Sequence, residues 1–123
     1  MNHRLPSSDV LSAEQCDLLK VLAHTYLQYG RVEKAASLLY AIHQLEPADR
    51  RVVKSLAYAY VRSGRPHEAM LLLDPLLDLG DRAPEIFLLR SQAYSQMGRI
   101  ADAARSMRYF VGARLDAKEG EAL

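Results

Sequence analysis

The chain has one cysteine, Cys16, so it cannot close an internal disulfide. That usage predicts a reducing compartment, the cytoplasm, and a buried, inert thiol. A dominant charge is also missing. Sixteen Lys and Arg are interspersed with 15 Asp and Glu, for a net charge of +1. Nucleic acid and anionic membranes both require a basic footprint, so neither is expected as a partner. No apolar run reaches the roughly 18 residues that a membrane-spanning helix needs, so no membrane insertion is expected. The start, residues 1–9, is polar and lacks the apolar stretch of a signal peptide. Glycine and proline number only six and five, and most fall where helices would begin or end.

Catalytic signatures are absent as well. None of His3, His24, His43 and His67 sits in a metal-ligand spacing with another His, a Cys or a pair of carboxylates. There is no Gly-rich phosphate loop, and no Ser occupies a nucleophile elbow. Asp74, Asp78 and Asp81 read as a solvated helix end, because the ligand spacing of a calcium loop is missing. The sequence therefore predicts no catalytic residue, no metal and no cofactor, and a protein that is not an enzyme.

What is present is a period of 34 residues. Tyr26, Tyr60 and Tyr94 each precede a glycine by four places: Gly30, Gly64 and Gly98. Each glycine is followed by Arg (Arg31, Arg65, Arg99) and, five places on, by Ala (Ala35, Ala69, Ala103). Tandem repeats of this length are helical hairpins that stack on their neighbours. The period divides the chain into a polar segment 1–11, a repeat domain 12–117 and a charged tail 118–123. The repeats run 16–49, 50–83 and 84–117. Leu18, Leu19, Leu22, Tyr26 and Tyr29 form a helical stripe. Six helices are predicted, at about 12–29, 33–45, 49–62, 66–79, 84–97 and 100–115. Ser12 with Gln15 reads as a capping box. Pro66 and Pro84 suit first helical turns. Ala23, Ala57 and Ser91 sit where the two helices of a hairpin would cross closely. Pro75 is expected to kink or shorten the fourth helix.

The spacing Leu19-x2-Leu22-Ala23-x2-Tyr26 recurs as Val53-x2-Leu56-Ala57-x2-Tyr60 and as Phe87-x2-Arg90-Ser91-x2-Tyr94. The second halves read Ala35-x3-Leu39, Ala69-x3-Leu73 and Ala103-x3-Met107, and Pro47 closes the first repeat. This resembles the tetratricopeptide repeat over residues 16–117. Arg90 departs from its Leu-type position, and Asp81 and Leu115 stand where Pro would be. The resemblance implies an all-α, right-handed solenoid of three hairpins, whose concave groove binds a polypeptide. In that family the groove positions would correspond here to Asp17, Lys20, His24, Leu27 and Gln28, then Arg51, Lys54, Tyr58, Val61 and Arg62, then Glu85, Leu88, Gln92, Ser95 and Gln96. They combine an apolar strip with a rim of both charge signs, which suits an amphipathic or extended peptide. Some tetratricopeptide proteins clamp the terminal carboxylate of heat-shock chaperones. Lys20 matches that clamp, but His24, Ser55, Glu85 and Leu89 do not, and Glu85 would repel a carboxylate.

The last predicted helix carries Ile100, Met107, Tyr109, Phe110, Val111 and Leu115, which cannot all face the fifth. Met107, Tyr109 and Phe110 are therefore expected to form a second contact surface, for a partner or for a homodimer without cargo. Three short repeats, and a first repeat reading YLQYGRVEKAASLLYAIHQLEPAD, resemble the small type III secretion chaperones of the YscY/SctY family. That resemblance implies a bacterial cytoplasmic protein. It would bind a small secreted subunit (a YscX-like cargo) and take part in its delivery to the export gate. A generic bacterial scaffold for another assembly would share the layout, and an enzyme accessory domain or a fragment of a longer array also stays open. The polar start at Met1 and the charged finish at Leu123 favour a complete chain.

Overall fold

The computed structural model describes residues 11–122. The chain there runs as α1 (Ala13–Gln28), α2 (Val32–Leu45), α3 (Arg50–Arg62), α4 (Pro66–Asp78), α5 (Pro84–Gln96) and α6 (Ile100–Ala122). There is no strand among the described residues. Each consecutive pair of helices packs together, and α3 also touches α5. The result is a helical solenoid built from three hairpins.

The recurring Tyr, Gly and Arg belong to one device that ends the first helix of each hairpin. At Gly64 the backbone turns left-handed, with φ +73. Its N–H then donates to the Val61 carbonyl at 3.1 Å, and the Arg65 N–H donates to the Tyr60 carbonyl at 2.8 Å. This is a Schellman closure, and only glycine takes its central conformation without strain. The Arg65 guanidinium folds back over the Tyr60 ring, 4.5 Å from the centroid, where the cation gains from the π face. The same pair of backbone bonds closes α1 and α5. It also closes α4 at Gly80, which lies outside the 34-residue period.

Helix starts follow the expected chemistry. Gln15 N–H donates to Ser12 Oγ at 3.1 Å, and Ser12 N–H donates to Gln15 Oε1 at 2.9 Å. Pro66 and Pro84 occupy first turns. Asp49 caps α3 by accepting from the Arg51 and Val52 N–H groups. The helix α4 runs through Pro75 to Asp78, as long as α3 and α5. The residue four places before Pro75, Leu71, is exposed. Water can therefore reach the carbonyl that loses its partner. The sixth helix differs from expectation. It continues to Ala122 through most of the residues read as a tail. Gly112 and Gly120 do not take positive φ, so neither ends it.

Ile42, Leu56, Leu73 and Ile86 are the largest fully buried side chains. The hairpin crossings are lined by small residues, all buried: Ala23 and Ala35, Ala57 and Ala69, Ser91 and Ala103. In the third hairpin the Ser91 hydroxyl donates to the Ala103 carbonyl at 2.9 Å. A side-chain atom one bond beyond Cβ thus already touches the facing backbone. Cys16 is buried and free, as expected. Of the stripe on α1, only Leu19 and Tyr26 pack against the core, while Leu18, Leu22 and Tyr29 are exposed.

Candidate peptide-binding groove

The first helices of the three hairpins, α1, α3 and α5, line one open groove of about 610 Å³. Side chains three or four apart on one helix share a face. Accordingly α1 contributes His24, Leu27 and Gln28, α3 contributes Arg51, Lys54, Ser55 and Tyr58, and α5 contributes Glu85, Leu88, Leu89 and Gln92. Tyr58 is 39% exposed and lies on the middle helix, with Leu27 on one flank and Leu88 on the other. Each hairpin therefore contributes an apolar side chain to the groove.

Of the expected groove residues, His24, Leu27, Gln28, Arg51, Lys54, Tyr58, Glu85, Leu88 and Gln92 come together here. The others do not line it. Val61 is only 4% exposed and belongs to the core, and its carbonyl accepts from the Gln96 side-chain amide at 2.8 Å. Arg62 is exposed in the last turn of α3 but stands outside the groove lining. Lys20 is engaged elsewhere. Its ammonium sits 2.9 Å from both Glu46 and Asp49.

Lys54, one repeat later, does the same with Asp81 at 3.1 Å and Glu85 at 3.5 Å. These lysines stand at the same place in the repeat, and each ties a first helix to the start of the next hairpin. The third repeat has Leu88 there, and no further hairpin follows it among the described residues. The Asp81 carboxylate also accepts from the Ala83 N–H at 3.0 Å, which fixes the turn into α5. Arg90, the departure from the repeat pattern, reaches the Asp74 carboxylate and the Tyr94 hydroxyl. The acidic residues around Pro75 therefore divide: Asp74 and Asp81 carry ion pairs, while Asp78 is exposed.

Among the described residues no group of His, Cys, Asp and Glu could hold a metal ion. No helix among them is long and apolar enough to cross a membrane. The expected second surface is not one patch. Tyr109 turns back and stacks on Phe87, with centroids 5.6 Å apart, while Met107 is exposed and Phe110 half-buried.

The Lys20–Asp49 link has a pH signature. The ammonium of Lys20 holds the Asp49 carboxyl below its usual range against the opposing effect of burial, and the Val52 and Arg51 N–H groups help. A carboxylate depressed in the folded state contributes stability that is complete above its unfolded value, about 3.9, and fades as pH falls through the folded one. Lys20 has the opposite sign. Glu46 first and then Asp49 raise its ammonium, so that contribution is complete below about 10.4 and fades only in strong alkali. Asp49→Asn keeps the cap but loses the charge. It should cost about 1 kcal/mol at neutral pH. It should also flatten the loss of stability between about pH 5 and pH 2. Urea melts of parent and variant across that range check this, and equal acid slopes would contradict it.

No curated protein matches this chain. The tetratricopeptide repeat family matches residues 26–93, more than half of the sequence. That span includes the whole second hairpin, the Tyr-Gly-Arg closures at Gly30 and Gly64, and groove residues from α1, α3 and α5. With the six-helix solenoid, the match shows that the chain belongs to the tetratricopeptide repeat family, whose arrays are protein–protein interaction scaffolds.

Proposed function

We propose that this protein is a bacterial cytoplasmic chaperone of type III secretion, of the YscY/SctY kind. It holds a segment of a small secreted, YscX-like subunit in its groove and helps present that subunit to the export gate. The observation that carries a binding role is the groove's set of apolar side chains, Leu27, Tyr58 and Leu88, one from each hairpin. The rim lysine at its centre, Lys54, is already neutralised by Asp81 and Glu85. Affinity then comes from burying apolar side chains, which suits a cargo that is poorly soluble by itself. The resemblance of the first repeat to the YscY/SctY family supports the secretion reading, while the three-repeat layout is shared with a general assembly scaffold.

Co-expression with a YscX-like protein tests it. The cargo is expected to be insoluble alone, soluble with the chain, and copurified with it. At a free cargo concentration about 100 times Kd, the chain should gain about 2.7 kcal/mol of stability. A cargo that stays insoluble, with no shift in the melting midpoint, removes the secretion role and leaves the scaffold.

A further inference from the structure

Among the described residues the ends of the array carry two uncovered faces, and the repeat register identifies each. Stepping 34 residues along the chain turns Leu18, Leu22 and Thr25 of α1 into Val52, Leu56 and Ala59 of α3. All three α3 residues are buried, whereas Leu18 is 69% exposed and Leu22 is also exposed. The helix that α3 has and α1 lacks among the described residues is a preceding one, α2. The exposed side of α1 is therefore the side on which α3 receives α2. Tyr29, also exposed, extends it.

The other end mirrors this. Ala36, Leu39 and Ile42 of α2, and Met70, Leu73 and Leu76 of α4, are all buried. Their counterparts on α6 are Ala104, Met107 and Phe110. Ala104 and Met107 are exposed and Phe110 is half-buried. Each of α2 and α4 packs against a following helix, which α6 lacks among the described residues. The row Ala104–Met107–Phe110 is thus the side that α2 and α4 present to the next hairpin.

We propose that copies of this chain associate head to tail, with α6 of one copy seated on α1 of the next as α2 is seated on α3. The two faces are the two halves of an interface that the chain already forms twice internally, at α2–α3 and α4–α5. In size, Ala104, Met107 and Phe110 follow Ala36, Leu39 and Ile42, and Leu18, Leu22 and Thr25 follow Val52, Leu56 and Ala59. Charge agrees as well. Arg114 stands at the register position of Glu46, beside the start of the next hairpin. In the assembly it would meet Glu14 and Asp17, both exposed acids at the start of α1. Such a contact is heterologous, so it propagates into short chains unless the rotation closes a ring. The interface leaves the groove open, and the proposal does not rest on the secretion reading.

Sedimentation velocity on the full chain over a concentration series tests it, with Leu22→Glu and Met107→Glu as variants. Both positions are exposed, so helicity by circular dichroism should match the parent. The parent mass should climb with concentration. Each variant alone should lose association, because every copy then lacks the same half. Mixing the two should restore one contact, α6 of the Leu22 variant on α1 of the Met107 variant, and stop at a dimer. A mixture that stays monomeric overturns the proposal, as does a parent that is monomeric up to about 1 mM. So does a Met107 variant that still dimerises alone, since that would mean α1 pairs with α1.

Discussion

Ala57→Leu should destabilise the protein by about 1–3 kcal/mol and lower its melting midpoint by several degrees. Ala57 is fully buried in α3, one repeat before Ser91. The Ser91 hydroxyl shows how little room the crossing leaves, because it already lies 2.9 Å from the backbone of the facing helix. Three further carbons at Ala57 must displace α4 or adopt a strained rotamer. The middle hairpin is the least able to absorb this. It packs on both neighbours, through α2–α3 and α4–α5, so a shift of α4 disturbs two interfaces. Total stabilities of domains are of order 5–15 kcal/mol, so the loss is a large fraction. Chemical denaturation of Ala57→Leu beside Ala57→Gly reads the effect. The glycine variant, which adds no volume, should cost only about 1 kcal/mol through helix propensity. A leucine variant as stable as the parent would show that the small residue does not mark the crossing.

Local backbone chemistry made the fold readable. The Tyr-Gly-Arg spacing encodes a helix end within six residues, so its three-fold recurrence located the hairpins from sequence alone. The capping box at Ser12 and the prolines at 66 and 84 are equally local. Gly80 closes α4 with the same geometry but follows no period, because the corresponding turn of the first repeat contains Pro47 instead. The links formed by Lys20 and Lys54 were out of reach for a different reason. Their partners Asp49 and Asp81 lie about a repeat away along the chain, and only folding brings them near. Val61 failed as a groove residue because its place on α3 turns it into the core, which a family position assigned by counting does not reveal. The length of α6 was hidden because a glycine can sit inside a helix or end it, and the sequence does not say which.

Tyr58→Ala should weaken binding of a groove-bound partner by about 2 kcal/mol, roughly thirtyfold in Kd. The side chain is 39% exposed in the free protein, so part of its surface remains to be buried by a partner. It stands on the central helix, where groove residues of α1 and α5 shield it from both sides. A central aromatic with aliphatic neighbours is the arrangement in which binding energy concentrates, because the surrounding contacts exclude water from it. Stability should change little, since the core cluster of α3 is formed by Val52, Val53, Leu56, Ala57, Ala59, Tyr60 and Val61 instead. Arg62→Ala serves as the comparison. That residue is exposed on the same helix but lies outside the groove lining, so its loss should leave affinity within about twofold. Titration calorimetry of the copurified cargo against the parent, Tyr58→Ala, Arg62→Ala and Met107→Glu separates the cases. If Tyr58→Ala binds as the parent does while Met107→Glu does not, the cargo sits on the end face of α6 and the groove reading fails.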